Sequence, residues 1–225
     1  MEIMLVAATQ LEIAPTLDWL QKNSFRTGNN HQISVLITGV GVVLTTYSLM
    51  EALRDKKPAA WLQAGIGGSF SLNCPPGTLS IVQEEAFGDL GVEENGQFRD
   101  VFDMQFQEAN AFPFTEKCLL NPYTSHWAHL QLPFVKSVTV NEITTSPQRI
   151  QTLQQKYAAI VESMEGAAFH YVSLRQQIPF LQLRSISNMV GERDKKNWKL
   201  KESVAILNKQ VIEILQQPEL FVQNN

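Results

Sequence analysis

The chain has 225 residues, 44% of them hydrophobic and 18% charged, proportions that suit a globular protein with a buried core and exclude a disordered or fibrous one. A formal net charge of -4, with no basic stripe able to neutralise several phosphates, argues against nucleic acid as a partner. The cluster Arg193, Lys195 and Lys196 is too short to act as such a stripe.

Cys74 and Cys118 lie far apart and show neither CxxC nor Cys/His ligand spacing, so no zinc site or disulfide framework is suggested and a reducing cytoplasm fits best. The opening "MEIMLVAATQ" carries an acidic second residue and only a short apolar run. It fails as a signal peptide and is too short to cross a membrane, so a cytoplasmic protein with no membrane partner is expected. Nothing resembles a linker, and residues 1–225 are expected to form one domain.

In chain order, apolar runs bounded by polar residues or glycine recur at "EIMLVAA", "ISVLITGV", "AAWLQAGI", "LSIVQEEAF", "VKSVTV", "AIVESM" and "FLQLRSIS". Their near-continuous hydrophobicity predicts strands buried on both faces of a sheet. Between them lie helical patterns. Val42 to Leu53 is apolar on nearly all sides and is expected to be buried on more than one face, in part by another subunit. Ser146 followed by Pro147 predicts a helix start for "SPQRIQTLQQKY", a cap and then a first-turn proline. Leu200, Val204, Leu207, Val211 and Leu215 recur at helical spacing and predict an amphipathic terminal helix. Asn95 to Lys117 lacks regularity and holds Phe98, Phe102, Phe106, Phe112 and Phe114; it reads equally as a functional lid or interface and as a satellite core. Strands alternating with helices imply an α/β sandwich.

In such sheets ligands bind beyond the carboxyl ends of the strands. The residues there are Ala8 to Glu12, "AGIGGSF", "SMEGAAF" and Asn188. Gly65, Gly67 and Gly68 remove side chains where a backbone approaches something closely, or simply make tight turns. They lack the P-loop ending, and "GVGVVL" at Gly39 lacks the third glycine of a dinucleotide fingerprint. Glu165 reads either as a carboxylate for a vicinal diol or as a helix-start Glu favoured by the dipole. Glu12, just ahead of Pro15, reads as a water-orienting base or as an ordinary helix start. His170 reads as a packing or surface residue.

The segments "ATQLE", "GVG", "AGIGGSF", "VESMEGAAF" and "RSISN", in this order and over nearly the whole chain, resemble the nucleoside phosphorylase and nucleosidase superfamily. The resemblance implies a three-layer αβα sandwich with a mixed central sheet, a small-molecule nucleoside substrate, no metal or organic cofactor, and a homodimer. Glu12 matches the acid that activates water, and Met164 and Glu165 match the pair under the ribose. Gly67, Arg184 and Ser187 join them as expected substrate-binding residues. Asn188 falls where adenosine-cleaving nucleosidases carry an Asp that protonates purine N7. An amide donates to N7 and suits a 6-oxo acceptor, so Asn188 points to hypoxanthine-like bases. "VESMEGAA", "ISNMVGERD" and Trp198 look most like the futalosine hydrolase family of menaquinone biosynthesis, which releases hypoxanthine and dehypoxanthinyl futalosine. Two other activities and a binding module compete. Asn188 opposes methylthioadenosine cleavage, while "ATQLEIAP" offers no arginine or glycine for the phosphate of a phosphorylase. A non-catalytic nucleoside-binding module leaves the acidic pair without purpose.

Overall fold

The computed structural model describes residues 1–27 and 31–221. The elements in order are β1 (Glu2–Ala7), α1 (Gln10–Lys22), β2 (Arg26–Thr27), β3 (His31–Ile37), α2 (Val42–Asp55), β4 (Ala60–Ser69), β5 (Leu79–Phe87) and β6 (Gly91–Glu94). There follow β7 (Gln97–Asp100), β8 (Leu119–Leu120), β9 (Phe134–Thr139), α3 (Pro147–Tyr157), β10 (Val161–Ser163), α4 (Gly166–Gln176), β11 (Phe180–Met189) and α5 (Leu200–Leu215). Each predicted apolar run contains a strand. The start of α3 is as read, with Ser146 Oγ accepting from the Arg149 N–H at 3.1 Å and proline in the first turn.

The main sheet is mixed and runs β10-β9-β5-β11-β4-β1-β3-β2, with β8 beside β5. β1, β3, β4 and β11 are mutually parallel neighbours, whereas β11 pairs antiparallel with β5. The short β10 pairs with β9 on one side and also antiparallel with β4 on the other. That second pairing closes β4, β11, β5, β9 and β10 into a ring, so part of the sheet is barrel-like, in place of the open sheet of a plain three-layer sandwich. A closed ring leaves no unpaired edge beside the site.

Away from the ring, alternate residues of β1 serve two cores. Ile3, Leu5 and Ala7 pack with Leu20 of α1 and Leu207 and Val211 of α5. Met4 and Val6 face Leu49 of α2 and Phe169 and Val172 of α4. This is why the strand reads as continuously apolar.

Helix α2 is buried on one face only in the single chain. It buries Thr45 and Leu49, while Val43, Leu44, Tyr47 and Met50 are exposed, because only one of its faces meets the sheet and α4. The phenylalanine-rich segment divides. Phe98 lies on β7 under the Arg149 guanidinium at 4.1 Å. Phe102 meets Phe114 edge-on at 5.1 Å, and Phe114 approaches Tyr171. Phe106 and Phe112 are exposed. Lys117 Nζ reaches Asp103 at 2.6 Å and Lys156 Nζ reaches Asp100 at 3.1 Å, tying the segment to α3.

Candidate active site

A cavity of about 590 Å³ opens where β1, β4, β10 and β11 end, and Glu12, Met164, Glu165, Gly67, Ser187 and Asn188 all line it. That volume is of the size small-molecule ligands occupy. Six of the seven expected site residues therefore meet in one place. Arg184, the seventh, does not line the cavity. It is 1% exposed and lies beneath the floor.

Glu12 sits in the first turn of α1, where its Oε2 accepts from the Thr9 N–H at 3.0 Å and the Thr9 hydroxyl at 2.9 Å. Its Oε1 accepts from the Ile66 N–H at 3.0 Å. The helix-start reading holds for this side chain, which also faces the cavity. The helix is deformed just after it. Pro15 lies within α1 and Ile13 leaves helical geometry. The Glu12 carbonyl then accepts from Asn208 Nδ2 at 2.8 Å, and the Thr16 N–H donates to Asn208 Oδ1 at 3.0 Å. A side-chain amide from α5 thereby bridges the helical hydrogen bond between those two groups and fixes where Glu12 emerges. Burial pushes the Glu12 carboxyl above its ordinary value, opposed by the Ile66 N–H and the Arg184 charge and reinforced by the charge of Glu165.

Glu165 occupies the N-cap position of α4 but makes no side-chain bond to that helix's N–H groups. Its Oε1 accepts from the Gly41 N–H at 3.2 Å, and its Oε2 pairs with Arg184 Nη1 at 3.4 Å. Arg184 also donates to the Ile66 carbonyl at 3.3 Å and to Gln63 Oε1 at 3.2 Å. The guanidinium spans the space above Gly65, where an added Cβ would stand 2.4 Å from Nη1 and 3.1 Å from Glu12 Oε1. The glycines read as turns are therefore strand residues of β4, and the bare Cα of Gly65 admits the cation that pairs with Glu165 and whose charge acts on Glu12.

Asn188 lies inside β11 and not beyond it. The register between β11 and β4 slips between Ile186 and Asn188, so Ser187 bulges and the amide is re-aimed at the cavity. Asn188 Oδ1 accepts from the Ser187 hydroxyl at 2.7 Å and Nδ2 donates to the Met189 carbonyl at 2.9 Å. A primary amide carries a second N–H, which this arrangement leaves for a ligand. At the rim, Trp198 donates through Nε1 to the Glu192 carbonyl, and the Arg193 guanidinium lies 5.7 Å from its ring centre.

Sequence reasoning missed Glu162, which lines the cavity from β10. It is 6% exposed. Its Oε1 accepts from the Thr144 N–H at 3.2 Å, and Oε2 has no partner. The available signal was a carboxylate inside an otherwise apolar strand. Ile143 was missed too, in a segment with no motif. None of the five phenylalanines from Asn95 to Lys117 lines the cavity.

Behind α4, the Ala167 N–H donates to Thr139 Oγ1, which donates to Glu85 Oε2 at 3.0 Å, while Gln182 Nε2 donates to Oε1 at 2.9 Å. Burial pushes the Glu85 carboxyl up to about 7 against the pull of Gln182, Arg184 and Thr139. Burial also lowers His170 to about 3. His170 is fully buried with Nδ1 against the Leu119 carbonyl, a packing residue held neutral.

A sequence model of the phosphorylase superfamily matches residues 2–217; the chain belongs to that superfamily. Among curated relatives, a futalosine hydrolase of Thermus thermophilus is 29% identical over 185 residues, covering 80% of this chain and 80% of that protein. A futalosine hydrolase of Streptomyces coelicolor is 29% identical over 150 residues, covering 65% of this chain and 60% of that protein's length. Among solved structures, the 5'-methylthioadenosine/S-adenosylhomocysteine nucleosidase of Helicobacter pylori superposes with a TM-score of 0.76 at 16% identity, covering 96% of this chain and 98% of that one. The α/β fold with its mixed sheet is the fold shared with that structure.

Proposed function

We propose that the protein is an N-ribosyl hydrolase, a single nucleosidase domain that cleaves futalosine to hypoxanthine and dehypoxanthinyl futalosine for menaquinone biosynthesis. The observation that carries this reading is the meeting of Glu12, Met164, Glu165 and Asn188 around one cavity. The futalosine hydrolase names of the two curated relatives support the choice of substrate.

Breaking an N-ribosidic bond passes through a cationic sugar, which calls for water on one face and relief of charge on the departing base. Glu12, raised by burial, is the base that takes the proton of the attacking water. Asn188 donates to purine N7 as negative charge develops there, and each such preorganised donor is worth roughly 2.7–4 kcal/mol of barrier. Glu165 accepts from the ribose hydroxyls above Met164, and its charge favours the sugar cation. Arg184 holds Glu165 in place without touching the nucleoside. Ser187 orients the Asn188 amide, and Gly67 lets β10 close on β4 beside the site, since a Cβ there would stand 2.9 Å from the Glu162 carbonyl. No cofactor takes part. The basic rim at Arg193 and Lys195 with Trp198 suits the aromatic carboxylate beyond the 5' position.

A homodimer belongs to the same reading. Leu11 and Val40 line the cavity mouth and are exposed, continuous in character with the apolar outer face of α2, and a second copy would cover them. Among the described residues no helix is long and apolar enough to cross a membrane, which accords with a cytoplasmic enzyme.

The test is release of free base from futalosine, inosine and methylthioadenosine, with and without phosphate. Futalosine is expected to be cleaved without phosphate, and Glu12→Gln to abolish turnover while retaining binding. A phosphate requirement, or full activity in Glu12→Gln, defeats the mechanism.

A further inference from the structure

The reaction assigned above gives no part to Glu85. It is a fully buried carboxylate, a costly group to keep away from water unless the fold uses it, and it does not line the cavity. Yet it stands directly beneath the residue that follows Glu165. A Cβ on Gly166 would lie 1.8 Å from Glu85 Oε1 and 2.5 Å from Gln182 Nε2.

Glu165 stands at the N-cap of α4, yet its side chain leaves the helix's first N–H groups to others. The strands supply the partners. The Gly166 N–H donates to Ser163 Oγ at 3.3 Å, and the Ala167 N–H donates to Thr139 Oγ1 at 2.7 Å. With its oxygen so engaged, the Thr139 hydroxyl turns its proton to Glu85 Oε2 at 3.0 Å, while Gln182 Nε2 donates to Oε1 at 2.9 Å. One carboxylate thus ties β5, β9 and β11 together beneath the first turn of α4, where the helix dipole favours negative charge.

The Glu165 carboxylate is held only loosely by its own contacts. Its bonds to the Gly41 N–H at 3.2 Å and to Arg184 Nη1 at 3.4 Å lie at or beyond the long end of the usual range, so where it stands depends on where the backbone of α4 begins. We propose that Glu85 is a positioning residue for Glu165: through Thr139 it supplies the capping that an N-cap side chain ordinarily gives, fixing the start of α4 and leaving the Glu165 carboxylate free for the ribose. This deepens the proposed function and rests on it.

The experiment measures kcat/KM for futalosine and inhibition by hypoxanthine in the native protein, Glu85→Leu and Glu85→Gln, each with and without Glu165→Gln. Glu85→Leu removes the acceptor and should lower kcat/KM by roughly tenfold to a hundredfold, the loss that follows displacement of a catalytic group by about 1 Å, while hypoxanthine, which carries no ribose, inhibits as before. Glu85→Gln keeps an acceptor for the Thr139 hydroxyl and should recover most of that loss. In the Glu165→Gln background Glu85→Leu should cost little further, because the group it positions is gone. Strictly additive losses, or an equal weakening of hypoxanthine inhibition, assign Glu85 to general stability and overturn the inference, leaving the proposed function intact. Failure of the native protein to cleave futalosine overturns both. Should Glu85→Leu not fold, Thr139→Val against Thr139→Ser decides: only the valine, which lacks the hydroxyl, should show the loss, and equal effects overturn the inference.

Discussion

Replacing Arg184 with methionine removes a cation that is 1% exposed and keeps most of the side-chain volume. The guanidinium pairs with Glu165 at 3.4 Å and donates to the Ile66 carbonyl and Gln63. Removing one partner of a buried pair leaves the other uncompensated and costs about 3–5 kcal/mol. In a chain of this length each kcal/mol moves Tm by about 2–4 °C, so a fall of roughly 6–20 °C is expected by calorimetry. The loss of Arg184 also removes a charge that holds the Glu12 carboxyl down, so the acidic limb of kcat/KM should move to higher pH. Adding Glu165→Gln to Arg184→Met removes the stranded charge, and the double variant should lose less stability than the two single variants summed. A Tm change under about 2 °C for Arg184→Met, the effect of less than 1 kcal/mol, or strictly additive losses, would refute the pairing of Arg184 with Glu165 as a stabilising contact.

Gly65→Ala places a methyl 2.4 Å from Arg184 Nη1 and 3.1 Å from Glu12 Oε1; activity should drop by at least about a hundredfold, as a displacement of about 1 Å in a catalytic group can cost that much, and near-native kcat would show that the guanidinium relocates freely. Glu85 gives a pH signature. Its folded value of about 7 against an ordinary 4.5 means the native state keeps a proton that the unfolded chain has released. Stability therefore falls as pH rises from about 4.5 to about 7, by roughly 3 kcal/mol from this group, and levels off above. Glu85→Gln should flatten that slope in denaturant titrations; an unchanged slope would remove Glu85 as its source.

Much of the site was legible because it is built from local signals at strand ends. The apolar runs, the Ser146–Pro147 start of α3 and the order of "ATQLE", "VESMEGAA" and "RSISN" each depend on a few consecutive residues. What was hidden depends on pairing between distant strands. A three-residue β10 with two partners leaves no periodic trace, so the ring closure was not anticipated. The bulge at Ser187 is a register slip against β4, and only that slip puts Asn188 inside a strand yet on the cavity. Arg184 is an expected substrate-binding residue under the resemblance, yet it is not among the cavity-lining residues; the bare Cα of Gly65 on the neighbouring strand gives its guanidinium room under the floor. On the outward face of α2 the apolar residues are exposed in the single chain, so the burial expected there rests on the second subunit included in that reading.

The most direct measurement is the ratio of kcat/KM for futalosine over methylthioadenosine, in the native protein and in Asn188→Asp. The neutral amide suits a 6-oxo base, whereas a protonated carboxyl donates to N7 and accepts from a 6-amino group. The native ratio should strongly favour futalosine and fall by at least about tenfold in the variant, a change of about 1.4 kcal/mol. A native preference for methylthioadenosine, or a ratio that Asn188→Asp leaves unmoved, would contradict the reading of Asn188 as the group that recognises the base.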